Sequence, residues 1–168
     1  MRRIISMLLQ NEAGALARVA GLFAARGYNI DSLTVAPTHV PSVSRLTLVT
    51  GGDDVVIDQI IKQSRKLIDV IEIADLTRRE HLECEMLIVK LDVAPGKAPQ
   101  VAACVRRHAR AVPIDESGST RTIQFTGSGV EINAFLLELS QLAQVRELAR
   151  SGTAALDCGE RVLADAAA

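Results

Sequence analysis

Residues 4–37 read IISMLLQNEAGALARVAGLFAARGYNIDSLTVAP, and they alternate between strand-like and helix-like patterns. The stretch opens with a short apolar run of strand length, which ends at a polar turn over residues 10–12. Gly27 follows Arg26 where a helix should end, and residues 28–37 form a second strand pattern. The helix itself is predicted by apolar residues at three- and four-residue steps: Leu16, Val19, Leu22 and Phe23.

The alternation continues through the rest of the chain. Val43–Thr50 is typical of a half-buried strand, Asp53 or Asp54 can cap a helix, and Asp69–Leu76 returns as a strand. After a polar boundary, the patterns recur in the order strand, helix, strand, helix, strand, at residues 86–93, 101–105, 120–126, 132–143 and 145–150. We therefore predict the α+β class, with two antiparallel sheets that each carry helices on one face.

The composition excludes several classes of function. The 168 residues carry 19 Lys and Arg against 20 Asp and Glu, so electrostatic binding to nucleic acid or to an anionic membrane is not expected. Three Phe, one Tyr and no Trp are too few for a stacking platform. Three cysteines, odd in number and without a CxxC pair, favour a reducing compartment, and no apolar run is long enough for a membrane helix. We expect a soluble cytoplasmic protein.

No catalytic constellation stands out, so we predict no catalytic residue. His39, His81 and His108 fall in a loop, a linker and a helix, and none is expected at metal-ligand spacing from another histidine or a cysteine. Residues 127–129 read GSG but lack the Lys-Ser/Thr of a phosphate-binding loop, so Ser128 is interpreted as a helix cap. The predicted metal set is empty.

The turn before the first helix is the most informative segment. The first amides of a helix have no internal partner, and Ala13, Gly14 and Ala15 are too small to cover them, so a carboxylate could approach. Asn11 and Asn29 offer neutral hydrogen-bonding groups. The apolar walls would be Leu16, Ile30, Leu33 and Val35. An ordinary capped helix with glycine and asparagine turns explains the same residues, and spacing alone favours it.

Residues 1–38, with SRLT at 44–47 and ARSG at 149–152, resemble the small regulatory subunits of acetolactate (acetohydroxyacid) synthase. The resemblance implies two ferredoxin-like βαββαβ domains: an ACT domain at residues 1–77 and a C-terminal ACT-like domain at residues 78–163. Residues 164–168 would be a frayed tail. It also implies a separate catalytic subunit that carries thiamine diphosphate, Mg²⁺ and FAD, with no cofactor in this chain.

The resemblance further implies a regulatory role in branched-chain amino acid biosynthesis: activation of the catalytic subunit and feedback inhibition by valine, in some members by leucine or isoleucine. ACT domains pair side by side as homodimers, so the effector site would combine one protomer's α-helix start with Asn29, Ile30 and Val35 of its neighbour. The implied set is Asn11, Ala13, Gly14, Ala15, Leu16, Asn29, Ile30, Val35 and Ala36. A free-standing ACT-type sensor of amino acids and an enzyme in its own right are the alternatives.

Overall fold

A computed structural model describes residues 1–163 of the chain. The chain divides into unit 1, which is Met1–Leu82 together with the segment from Thr153 onward, and unit 2, which is Glu83–Gly152. The domain boundary predicted between residues 77 and 78 stays a prediction, and the tail predicted at 164–168 lies outside the described residues.

Unit 1 has the predicted order of strands and helices. The elements are β1 (Arg2–Gln10), α1 (Ala15–Ala25), β2 (Ser32–Pro37), β3 (Val43–Gly51), α2 (Asp54–Ser64) and β4 (Val70–Asp75). The sheet order is β2-β3-β1-β4 with antiparallel neighbours, which leaves β2 and β4 at the edges.

The core of unit 1 explains why β1 reads as a continuous apolar run. One face of the strand packs under both helices, in a cluster of Ile5, Met7, Leu9, Val19, Phe23, Leu46, Leu48, Ile57, Ile60 and Ile73. Ile4 points into a second cluster that includes Val49 and Ala155. Because both faces of β1 are covered, its side chains are buried from Arg3 to Leu9 and the strand shows no polar alternation.

Unit 2 repeats the same order of elements, which are β5 (His81–Asp92), α3 (Ala98–Arg107), β6 (Ala111–Ser117), β7 (Thr120–Gly127), α4 (Gly129–Leu142) and β8 (Gln144–Arg150). Its sheet order is β6-β7-β5-β8 with antiparallel pairing. The two ferredoxin-like α+β arrangements predicted from the sequence are therefore confirmed.

Two strands were not predicted. The edge strand β6 is almost entirely exposed and contains Pro113, where its register on β7 shifts, so it has neither apolar periodicity nor the usual strand composition. The short strand β9 (Ala154–Asp157) is only four residues long. No helix within residues 1–163 is both long enough and apolar enough to cross a membrane.

Two helices begin at side-chain caps, as the sequence predicts. Asp53 accepts a hydrogen bond from the Val56 amide at 2.9 Å and caps α2. Ser128 caps α4 in a reciprocal arrangement, because its Oγ accepts from the Glu131 amide at 3.3 Å while its own amide donates to Glu131 Oε2 at 2.7 Å. These bonds with Ser128, followed by the contact with Arg110, hold the pKa of Glu131 below its ordinary value.

The Ser128→Ala variant should lower the free energy of unfolding by about 1 kcal/mol, because the Glu131 amide loses its acceptor. Ser140→Ala is the matched control: Ser140 lies exposed in the same helix, and its Oγ donates only to the Leu137 carbonyl at 2.8 Å. The control should stay within about 0.5 kcal/mol of wild type in urea unfolding. Equal losses in the two variants would contradict the assignment of Ser128 as a cap.

Candidate functional site

The turn that leads into α1 requires glycine at position 14. Gly14 has φ of 91°, in the left-handed region where a side chain is strained. A Cβ added there would lie 2.9 Å from Arg18 Nη1, closer than van der Waals contact permits. The backbone therefore passes directly over the Arg18 guanidinium, with no side chain between them.

The start of α1 has backbone amides that remain open. The Ala15 amide donates to the Glu12 carbonyl at 3.2 Å, which closes the turn. Among the residues that the structure describes, no protein acceptor faces the amides of Leu16 and Ala17, and no side chain caps the helix. Two adjacent N–H groups at a helix start form a site for an anion.

A partly buried ion pair holds this helix start against the sheet. The Arg18 guanidinium makes a two-point contact with Asp69, from Nε to Oδ2 and from Nη2 to Oδ1, the latter at 2.6 Å. The Asp69 side chain is 3% exposed, whereas that of Arg18 is 46% exposed. The Gln10 amide also donates to the Asp69 carbonyl at 2.9 Å, so the same residue joins the end of β1 to the start of β4.

The bidentate hydrogen bonding from Arg18 holds the pKa of the Asp69 carboxyl below its ordinary value, against the opposing effect of burial. Asp69 is therefore ionised at neutral pH and the pair is intact. Arg18 stays half-exposed, and its Nη1 lies beside the Gly14 backbone at the open helix start.

Seven of the nine predicted residues lie around this helix start or on β2, which ends at the same end of the sheet as β1. Asn11 follows β1, and its Nδ2 donates to the Pro41 carbonyl at 2.8 Å, which leaves Oδ1 as an acceptor. Leu16 and Val35 are large apolar side chains that are 38% and 40% exposed. Ala13 and Ala36 are exposed as well, whereas Ala15 lies on the buried face of α1.

The structure does not bring Asn29 and Ile30 to the helix start of the same chain. Pro37 pairs with Ser44, which pairs with Leu9, so β2 ends where β1 ends. Ser32 pairs with Val49, which pairs with Ile4, so β2 begins at the opposite end of the sheet, about 17 Å away.

Asn29 precedes β2 and is fixed by local bonds. Its carbonyl accepts from Thr50 Oγ1 at 2.5 Å, and its Nδ2 donates to Asp31 Oδ1 at 2.6 Å. Ile30 packs partly against the core of unit 1. Within one protomer, then, Asn29 and Ile30 cannot contact a ligand held at Leu16.

A second cluster lies in unit 2 and departs from the sequence-based expectation. His108 stands four residues after Cys104 at the end of α3, and its Nε2 lies 2.8 Å from Glu138 Oε2 on α4. The structure brings a ring nitrogen of His108 within 4.8 Å of Cys104 Sγ, a proximity that the sequence analysis did not expect, while the prediction of no metal ligand stays a prediction. The Cys-x-x-x-His spacing was the available signal, whereas Glu138 is 30 residues further along the chain.

Comparisons with known proteins identify the class and then the family. A family model described as "AHAS small subunit-like ACT domain" matches residues 5–72, so unit 1 is an ACT-type domain. A second model, "Small subunit of acetolactate synthase", matches residues 84–159. The chain belongs to the acetolactate synthase small-subunit family.

Similar proteins span nearly the whole chain. The acetolactate synthase isozyme 3 small subunit of Salmonella typhimurium is 44% identical over 97% of this chain and 99% of its own length. The acetolactate synthase small subunit of Haemophilus influenzae is 40% identical over 96% of this chain and 98% of its own length. The crystal structure of the Thermotoga maritima small subunit superimposes with a TM-score of 0.84 at 34% identity, covering 96% of this chain and 99% of that one.

The Gly14→Ala variant should lower the free energy of unfolding by about 1–2 kcal/mol, because alanine is strained in the left-handed region. Gly21→Ala is the matched control: Gly21 lies exposed within α1, has no positive φ and has open space around its Cβ position. The free energy of unfolding of Gly21→Ala, measured in urea, should rise by about 0.5–1 kcal/mol. A shift of the same sign in both variants would contradict the role given to Gly14.

The Arg18–Asp69 pair predicts a pH dependence of stability. A carboxyl whose pKa is lowered by folding stabilises the protein above its ordinary value of 3.8 and loses that contribution as pH falls through the lowered value. In thermal unfolding, the Tm of the wild-type protein should therefore exceed that of Asp69→Asn by a constant margin from neutral pH down to about pH 5. Below about pH 4 the margin should shrink. A margin that stays constant into strong acid would show that folding does not lower the pKa of the Asp69 carboxyl.

Proposed function

We propose that this chain is the regulatory subunit of an acetolactate synthase of branched-chain amino acid biosynthesis. It binds and activates a catalytic subunit, and it confers feedback inhibition by valine. The names of its relatives support the partner, and the match along nearly the full length of both chains supports the role. The chemical step, with its thiamine diphosphate, Mg²⁺ and FAD, belongs to the catalytic subunit.

The observation that carries the effector proposal is the open start of α1. The valine carboxylate would accept hydrogen bonds from the amides of Leu16 and Ala17, which have no protein acceptor within residues 1–163. The half-exposed guanidinium of Arg18, with Nη1 beside the Gly14 backbone, lies at the same helix start. Asn11 Oδ1 remains able to accept from the ammonium group, since Nδ2 already donates to Pro41.

The ligand's isopropyl group needs apolar contacts that one protomer offers only in part. Leu16 and Val35 are exposed in the single chain, and covering them with an aliphatic ligand and a second protomer removes apolar surface from water. Ala13 and Ala36 are small enough to leave room for that ligand. Exposed apolar side chains beside a polar anchoring point are the usual lining of a small-molecule site.

The second protomer would come through the free edge of β2. Within the described chain β2 pairs only with β3, so its other edge is open for strand addition. A two-fold axis makes the added strand antiparallel, which puts the start of the partner's β2 beside the end of this one. Asn29 and Ile30, which precede the start of β2 at the opposite end of the sheet from the helix start in their own chain, would then contact the ligand of the neighbouring chain.

The energy required is modest. A feedback ligand that binds between millimolar and micromolar needs about −4 to −8 kcal/mol. The eight heavy atoms of valine can supply it, because very small ligands reach about −1.5 kcal/mol per atom. A coupling of about 1–3 kcal/mol between the effector site and the catalytic subunit is enough to change activity several-fold. Leucine and isoleucine differ from valine by one methylene, worth about 1–3 kcal/mol, so they are the natural competitors.

The Ala17→Asp variant tests the site. Its carboxylate lies in the first turn, where it suits the helix dipole and repels the ligand's carboxylate. We expect valine affinity in isothermal titration to fall about tenfold or more. Ala17→Asn is the matched neutral control and should lose clearly less. Position 14 is a poorer choice, because any side chain there also strains the backbone and displaces Arg18.

Valine binding by Ala17→Asp with wild-type affinity would contradict the placement. The same variant should still activate the catalytic subunit, because the change is confined to the ligand site.

Co-purification tests the proposed partner. Tagged protein expressed in its native host should retain the large catalytic chain and raise its specific activity, and valine should reverse part of that rise. A free-standing sensor would bind valine without retaining the catalytic chain. All three cysteines are free thiols, which supports our proposal that the protein works in the cytoplasm.

A further inference from the structure

Three side chains of different chemistry meet between the two helices of unit 2. Cys104 lies in the last turn of α3, His108 caps that helix, and Glu138 lies on α4. Their Sγ, ring nitrogen and carboxylate oxygen all lie within 4.8 Å of one another. Nothing in the proposed regulatory role uses this cluster, which is separate from the start of α1.

The cluster is ordered by packing and is open on one side. The His108 ring lies edge-on to Phe135, with ring centroids 4.8 Å apart, and to Phe125 at 5.9 Å. Its Nε2 points at Glu138 Oε2, 2.8 Å away. Cys104 is fully buried, whereas the side chains of His108 and Glu138 are 32% and 33% exposed. Solvent can therefore reach the cluster from the side of His108 and Glu138.

We propose that Cys104, His108 and Glu138 bind a divalent zinc-like cation, with water as the fourth ligand. A mixed set of sulfur, nitrogen and oxygen donors suits zinc, whereas magnesium and calcium select oxygen donors alone. Bond lengths of about 2.0–2.3 Å in a tetrahedral site place ligand atoms roughly 3.3–3.8 Å apart. The three donor atoms are close enough to reach this geometry with side-chain shifts of about 1 Å.

The charges also match a divalent ion. A Cys104 thiolate and a Glu138 carboxylate together neutralise two positive charges, while His108 binds as the neutral ring. Burial, followed by the proximity of Glu138, raises the pKa of the Cys104 thiol. Binding therefore releases one proton from Sγ to solvent as the metal–sulfur bond forms.

Glu138 already attracts cations in this structure. Its Oε1 contacts the guanidinium of Arg107, and His108 together with Arg107 holds the pKa of Glu138 below its ordinary value. The Arg107 side chain is 59% exposed at the end of α3 and can return to water when the metal takes its place. The metal ion would thus replace the Arg107 guanidinium at Glu138 and link α3 to α4 through coordinate bonds.

Cobalt is the probe that reports on the thiolate directly. The full-length protein, freed of metal with EDTA and dialysed, is titrated with Co²⁺ under reducing conditions. We expect a saturable thiolate-to-cobalt absorption band at one equivalent, which Zn²⁺ removes by displacement, and a higher unfolding midpoint with Zn²⁺ bound. Absence of the band in the folded protein would overturn the proposal.

The chain supplies its own controls. Cys84→Ser and Cys158→Ser should keep the band, because neither thiol belongs to the cluster, whereas Cys104→Ser should lose it. Glu138→Gln is the second test variant, because it changes a partly exposed residue and can be used if Cys104→Ser unfolds unit 2. It should weaken Co²⁺ binding about tenfold or more. A band that survives in folded Cys104→Ser, or equal affinity in Glu138→Gln, would show that Cys104, His108, Glu138 and Arg107 form a polar network only.

Discussion

A helix has no internal hydrogen-bond acceptors for its first backbone amides. At the start of α1 in unit 1, the amides of Leu16 and Ala17 have no acceptor in the described chain. The surrounding residues keep that start open and fixed. Gly14 turns the backbone through the left-handed region without adding a side chain, and Arg18 anchors the first turn to Asp69. The open amides cost stability locally, as the proposed effector site would require, whereas the Arg18–Asp69 pair holds the helix start in place.

The second constraint is that each protomer would hold only part of the proposed effector site. The register of β2 separates Asn29 from the helix start by nearly the length of the strand, while Val35 remains exposed beside an open sheet edge. Antiparallel addition of a second β2 would complete the site, remove an unpaired edge and cover the apolar surface together. A ligand that touches both protomers favours one arrangement of the pair, and a bound catalytic subunit can respond to that arrangement.

The sequence predicts much of this, for reasons that differ between elements. The stripe in α1 and the caps Asp53 and Ser128 are local signals, and they identify helices correctly. Strand β6 was not predicted because it is an exposed edge strand that contains Pro113. The hydrogen bond from the Ala15 amide to the Glu12 carbonyl depends on the geometry of the turn, which the periodicity of the sequence does not encode. Contacts distant in sequence, such as the approach of Glu138 to His108, become visible only once the helices are packed.

A mixed dimer tests most directly whether two protomers share each effector site. Chains carrying Ala17→Asp and Asn29→Ala are co-expressed with different tags, and the heterodimer is isolated and titrated with valine. A shared site leaves one of the two sites intact in the heterodimer, because the unaltered helix start of one chain faces the unaltered Asn29 of the other. We expect half the wild-type stoichiometry at wild-type affinity, with neither homodimer binding normally. A heterodimer that binds no better than the two homodimers would contradict the shared site and place both residues' effects within one chain.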